Sequence, residues 1–194
     1  MLHATEAPAE QVLDFWFGPA QTRGSARIEW FRKDPAFDEA IRNRFLNLYE
    51  TGAAGGLAGW RARAGDCLAL IILLDQFPRN MFRDSARSFA ADSLALEAGR
   101  HALAAGQAKD ALPVERLFFS LPFEHSETLA DQDISCRLIE PLAAFAETAG
   151  VWPFALKHRE IIARFGRFPH RNEALGRVST PDELEFLRQP GSRF

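Results

Sequence analysis

The chain has 194 residues, of which 47% are hydrophobic and 25% charged, with 13 Gly and 11 Pro. These values exclude collagen-like, mucin-like and disordered chains and suit one domain, residues 1–194, with a continuous core. A net charge of −3 offers no positive field for nucleic acid or anionic lipid, although 20 of the 23 basic residues are Arg. A genome rich in G and C would produce the same Arg bias, so position rather than number must single out any Arg with a special role.

The elements read as helices throughout. Pro8 opens the first, whose Val12, Phe15 and Trp16 recur at helical spacing until Gly18-Pro19. Asp34-Pro35 is an N-cap followed by proline at the first helical position, and Phe37, Ile41, Phe45 and Leu48 form the stripe that follows, with Gly52 as the stop. Asp66 is expected to cap the next helix, which is apolar nearly all round from Cys67 to Leu74 and so belongs at the centre. Asp92 opens a helix that runs to Gly106, and Pro113 opens a short one through Leu117, Phe118 and Leu121. A longer stretch from Ser126 to Gly150 is divided or kinked by Pro141. Pro153 begins another helix, and Thr180-Pro181-Asp182-Glu183 is a capping box before the last.

About eight or nine helices with short connections, and no strand pattern, define an all-α chain of helix pairs. No repeat of about 34 residues is legible, so periodicity alone does not establish a solenoid. Cys67 and Cys136 lack C-x-x-C spacing, which argues against a disulfide framework and for a reducing compartment. Met1–Gln11 has no basic run, so no secretory signal is expected. The longest apolar run is far short of the roughly 20 residues that span a membrane. A cytoplasmic protein is the expectation.

Four groups of residues could carry chemistry. Gln76-Phe77-Pro78-Arg79-Asn80 and Arg167-Phe168-Pro169-His170-Arg171-Asn172 form a near-repeat, each placing Phe-Pro and then Arg-Asn after a buried helix. Proline is expected to stop each helix, and Arg and Asn either bond its last carbonyls or converge on an anion. Asp75 lies near the end of the buried helix, where desolvation and the helix dipole both oppose a carboxylate, so it requires a cationic partner. Such an Asp–Arg pair is a strut, or it holds an Arg at a site.

In Pro122-Phe123-Glu124-His125-Ser126-Glu127, Ser126 suits a helix cap and Glu127 a first turn. Glu124 and His125 then form an acid and imidazole pair on a loop, suited to general acid–base work or merely solvated. His158, with Phe154, Ile161, Ile162 and Phe165 at spacings of three, four and seven, faces inward as a core histidine or an interior catalyst. No di-iron, H-E-x-x-H or Cys/His metal pattern is present, and a mixed set of Glu124, His125 and His158 or His170 is the one metal arrangement left open. There is no G-x-G-x-x-G, Walker loop or G-x-S-x-G, so no cofactor is expected. Finally, residues 115–147 carry a local −5 and residues 157–171 a local +4, and these neighbouring segments should pack and pair.

Val12-Leu13-Asp14-Phe15-Trp16-Phe17-Gly18, Leu74–Asn80, Leu121–Glu127, Phe165–Asn172 and Leu175-Gly176-Arg177-Val178-Ser179-Thr180 occur in that order. Together they resemble the bacterial domain-of-unknown-function family 924, over about Val12 to Leu187. The resemblance implies a tetratricopeptide-like helical fold and places these segments in one common pattern, but it supplies no activity. Three readings follow. In the first, an enzyme or small-ligand protein clamps an anionic metabolite with Arg79, Arg167 and Arg171, while Glu124, His125 or His170 moves protons. Asp75, Gln76, Asn80, Glu127, His158 and Asn172 line that site. In the second, a helical scaffold reads the terminal carboxylate of a peptide or protein partner. In the third, the same residues form a network that locks helix pairs together.

Overall fold

The computed structural model describes residues 7–19 and 21–193. The first six residues of the segment expected to lack a secretory signal lie outside the described residues. Among the described residues every regular element is helical. The α-helices are α1 (Pro8–Phe17), α2 (Pro35–Ala53), α3 (Ala64–Ile71), α4 (Phe77–Met81), α5 (Asp92–Ala104), α6 (Pro113–Glu124), α7 (Leu129–Ile139), α8 (Trp152–Phe165) and α9 (Pro181–Leu187). Among the described residues no helix is long and apolar enough to cross a membrane.

Local chemistry explains most of the helix starts. Asp34 accepts hydrogen bonds from the amides of Ala36 and Phe37, and Pro35 occupies the first turn of α2. At α9, Thr180 Oγ1 accepts from the Glu183 amide while Glu183 Oε2 accepts from the Thr180 amide, so the capping box forms as expected. Replacing Thr180 with Ala should therefore cost about 1 kcal/mol in an equilibrium denaturation, with no change in the far-ultraviolet spectrum of the folded chain.

Three boundaries differ from expectation. Arg63 precedes α3 and Asp66 lies inside its first turn, where a carboxylate favours the helix dipole without capping. Gly52 does not end α2, which continues to Ala53, and a Cβ at Gly52 would press on the Leu57, Leu73 and Leu74 side chains. Ser126 does not cap α7. Its hydroxyl donates to Asp131 Oδ2, and the helix begins only at Leu129.

The most consequential departure is at Pro78, which does not stop its helix. The chain passes from α3 through a π-helical turn, Ile72–Gln76, directly into α4. Pro78 has no N–H and its ring would crowd the carbonyl four residues back, a conflict that a widened turn just before it relieves. Joined in this way, α3 and α4 form one long central helix, so the nine segments amount to eight helices, within the expected range.

This central helix packs against α1, α5 and α6 along its α3 half and against α2 along its α4 half, while α5 packs on α6, α6 on α7 and α7 on α8. Its residues from Cys67 to Leu74 are buried on every side, as the apolar pattern requires. An aromatic layer anchors α1 to this core: Phe118 makes edge contacts with Trp16, Phe17 and Trp30 at centroid distances of 4.9–5.5 Å. A smaller cluster of Ile161, Ile162, Phe168 and Phe186 holds α9 against the end of α8. Cys67 and Cys136 are buried free thiols. The charged segments do meet where α7 packs on α8, through Arg159 and Asp133 at 2.6 Å. Arg167 and Arg171 instead pair with Glu183 and Asp92, outside the acidic segment.

Candidate functional site

The widened turn before Pro78 carries Asp75 and Gln76 into the interior. Asp75 is 1% exposed, and its carboxylate accepts from His125 Nδ1 at 2.7 and 3.0 Å and from Gln76 Nε2. Arg79 Nη1 lies 3.4 Å from Asp75 Oδ1 and donates to the Asp75 carbonyl. The cationic partner required by a buried carboxylate is thus present, together with an imidazole. Burial works to raise the Asp75 pKa, but the Arg79 charge and the hydrogen bond from His125 outweigh it and hold this carboxyl well below the usual range.

Glu124 and His125 come from the end of α6. They are not on a loop, because the helix continues through Pro122: Glu124 is its last residue and His125 its C-cap. A carboxylate can only accept, so His125 Nδ1 carries the proton and Nε2 the lone pair. Burial and then the Arg79 charge lower the His125 pKa, with Asp75 opposing. Glu124 is 6% exposed, and burial followed by the Asp75 charge pushes its carboxyl up to about 8. Its Oε1 lies 3.4 Å from Nδ1 of His158, the buried inward-facing histidine of α8, which donates to the Phe154 carbonyl at 2.8 Å. Burial lowers the His158 pKa to about 3.

Two arginines complete the cluster. Arg79 forms a bidentate pair with Asp92 at 2.9 and 3.1 Å, and Arg171 reaches the same carboxylate at 3.2 Å. One Arg from each half of the near-repeat therefore converges on one point, and an internal carboxylate already stands there. Arg171 lies between the rings of Phe89 and Phe168, 4.7 and 4.5 Å from their centroids, and burial lowers its pKa to about 10. His170 packs beside Phe168 at 5.6 Å, its pKa also lowered to about 3, first by burial and then by the Arg171 charge.

The remaining candidates are engaged elsewhere. Asn80 donates to Asp38, which also pairs with Arg83. Arg167 pairs with Glu183 at 2.6 and 2.8 Å and bonds the Val178 carbonyl. Asn172 donates to Glu183 and Ser179 and accepts from Arg177. Glu127 accepts from both Arg177 guanidinium nitrogens and from the Phe168 amide, outside any helical first turn. These contacts knit α9 and its preceding loop to the α6–α7 connection. That chain of bonds positions the 169–171 turn, and through it Arg171.

Asp92 escapes a reading of the sequence because as a first-turn residue of α5 it already has a complete local explanation. Its partners lie 13 and 79 positions away. Phe89 and Phe168 are likewise recognisable only as apolar residues near prolines or helix starts.

The order of the motifs and the all-helical fold agree with the comparisons. The family model described as "Bacterial protein of unknown function (DUF924)" matches residues 12–191. The chain belongs to the DUF924 family. No curated protein matches it. Among solved structures, this DUF924 chain is similar to the protein of unknown function ATU0120 from Agrobacterium tumefaciens, with 40% identity, a TM-score of 0.83, and coverage of 93% of this chain and 96% of that one. The DUF924 match spans every element that builds the cluster, from the π-helical turn Ile72–Gln76 to α9.

Proposed function

We propose that this cluster is a site for a small anionic ligand, held by Arg79 and Arg171, on which His125 and Glu124 move a proton. The observation that carries the reading is the pairing of opposite proton affinities within one buried cluster. Asp75 fixes His125 so that Nε2 is the accepting nitrogen, while the neighbouring Glu124 keeps its proton at neutral pH. A base and an acid held apart in this way, beside two guanidinium groups, suit proton transfer on an anion. The imidazole-to-carboxylate contact is the orienting device found in hydrolytic triads, here without a nucleophile assigned.

Burial of the cluster favours a small molecule over an extended peptide, since Asp75, Glu124 and His158 offer no open groove. The sequential packing of α5 through α8 supports a tetratricopeptide-like arrangement within a single domain, and the two buried thiols support a cytoplasmic setting. In this proposal no metal or organic cofactor takes part.

A thermal-shift panel of small carboxylic and phosphoryl metabolites tests the reading. Saturation at about a hundredfold excess over Kd adds about 2.7 kcal/mol, which is a shift of several degrees for a chain of this size. The shift should disappear in Arg171→Lys, which keeps the charge but loses the planar fork, and persist in Arg167→Ala. A panel with no response, or a response indifferent to Arg171→Lys, overturns it. Arg171→Ala is a poor control, because its side chain is buried against Asp92 and its loss would lower the melting temperature whatever the function.

A further inference from the structure

We infer that the ligand of this site is a single small carboxylate, and that Asp92 is the residue that excludes anions of higher charge. This rests on the anion-site reading above and adds the ligand class and its determinant.

The first observation is the incomplete coordination of Arg171. The Arg171 guanidinium carbon lies over the Phe89 and Phe168 rings, 4.7 and 4.5 Å from their centroids, and the N–H groups of a guanidinium donate in its own plane. In that plane Nη1 is taken by Asp92, whereas the buried Nε has no hydrogen-bond partner among the described residues. A buried guanidinium N–H without an acceptor is costly, and a planar ligand oxygen in the plane of the fork would complete it. Asp92 shows what fits: its own carboxylate lies against Arg79 in a two-pronged pair.

The second observation is the charge count. Arg79 and Arg171 are balanced by Asp75 and Asp92, four groups linked by direct contacts. The other titratable groups of the cluster are neutral at neutral pH: Glu124 and His125 from α6, His158 from α8 and His170 from the 169–171 turn, with Arg193 acting on His170 from outside it. Glu127, just beyond, is cancelled by Arg177. A monoanion therefore adds one uncompensated charge, which the Arg171 Nε–H and a protonated Glu124 can solvate. A dianion adds two in the same buried space, where each is expensive. Without the Asp92 charge the site would carry +1, and a dianion would meet the balance that a monoanion meets now.

The test follows the Arg171 Nε–H resonance in the full-length 15N-labelled chain, assigned by its loss in Arg171→Lys. Sodium acetate and sodium sulfate are titrated at neutral pH and constant ionic strength, made up with chloride. Acetate should move the resonance saturably, and sulfate should bind at least about tenfold more weakly. In Asp92→Asn, which keeps the shape and an acceptor for the arginines, sulfate affinity should rise by at least about tenfold. Equal binding of both anions to the unaltered chain, or unchanged sulfate affinity in Asp92→Asn, overturns the inference while leaving the anion site standing. If neither anion moves the resonance in either protein, the anion site itself falls. Should Asp92→Asn lose its dispersed spectrum, Asp92→Ser supplies the same charge change, and the acetate-to-sulfate ratio of the unaltered chain decides the ligand class.

Discussion

Asp75→Ala should lower the stability of the folded chain by about 3–5 kcal/mol, measured by equilibrium denaturation at neutral pH. The size of the effect comes from what is stranded. Asp75 is buried, and its carboxylate is the acceptor for His125 Nδ1 and Gln76 Nε2 and the second negative charge beside Arg79 Nη1, at 3.4 Å. Removing it leaves two buried donors unmade and an unbalanced guanidinium, each costing more than the pair contributes when intact. Asp75→Asn should cost roughly half as much, since an amide oxygen can still accept from His125 while Asp92 continues to hold Arg79. The two variants separate structure from function: Asp75→Asn should still abolish proton transfer, because a neutral amide no longer stabilises a protonated imidazole. A loss below about 1 kcal/mol in Asp75→Ala would show that the network contributes little to the fold.

The melting temperature should peak near pH 6.5 and fall as the pH rises towards 8. Glu124, raised from 4.5 to about 8, keeps its proton in the folded state while the unfolded carboxyl loses it, so it makes stability fall with pH across that interval. His158 and His170, lowered from 6.5 to about 3, act in the opposite sense. The unfolded imidazoles bind protons that the folded ones refuse, so stability rises with pH until about 6.5. His125, also lowered, acts with them, so below that value three histidines outweigh one glutamate; above it Glu124 acts alone. Glu124→Gln should remove the alkaline decline and make the variant more stable than the parent at pH 8, by on the order of 3 kcal/mol. A flat profile between pH 6.5 and 8 in the parent chain would mean that Glu124 is hydrated and its carboxyl ordinary.

The helix starts at Pro35, Pro113 and Pro181 and the capping box at Thr180 were legible because a cap is settled within four residues. The central position of the helix through Leu74 followed from its lack of a polar face, and the need of Asp75 for a cation followed from that position. The expected stop at Pro78 and the expected loop at Glu124 and His125 failed for the same local reason. A Pro inside a helix is penalised when the helix stands alone, yet Pro78 and Pro122 are carried through by a π turn and by packing against neighbouring helices.

What the chain alone determined is therefore the all-helical class, the buried axis and a short roster of chemically capable groups. Only the tertiary structure selected among them. It drew Arg79 and Arg171 together on Asp92, turned His125 towards Asp75, and sent Arg167, Asn172 and Asn80 to other partners. Near-repeats look alike in sequence because their local turns are alike. Whether the two guanidinium groups meet depends on helix packing that brings Arg171 to Asp92, 79 positions away, a distance over which no local pattern carries information.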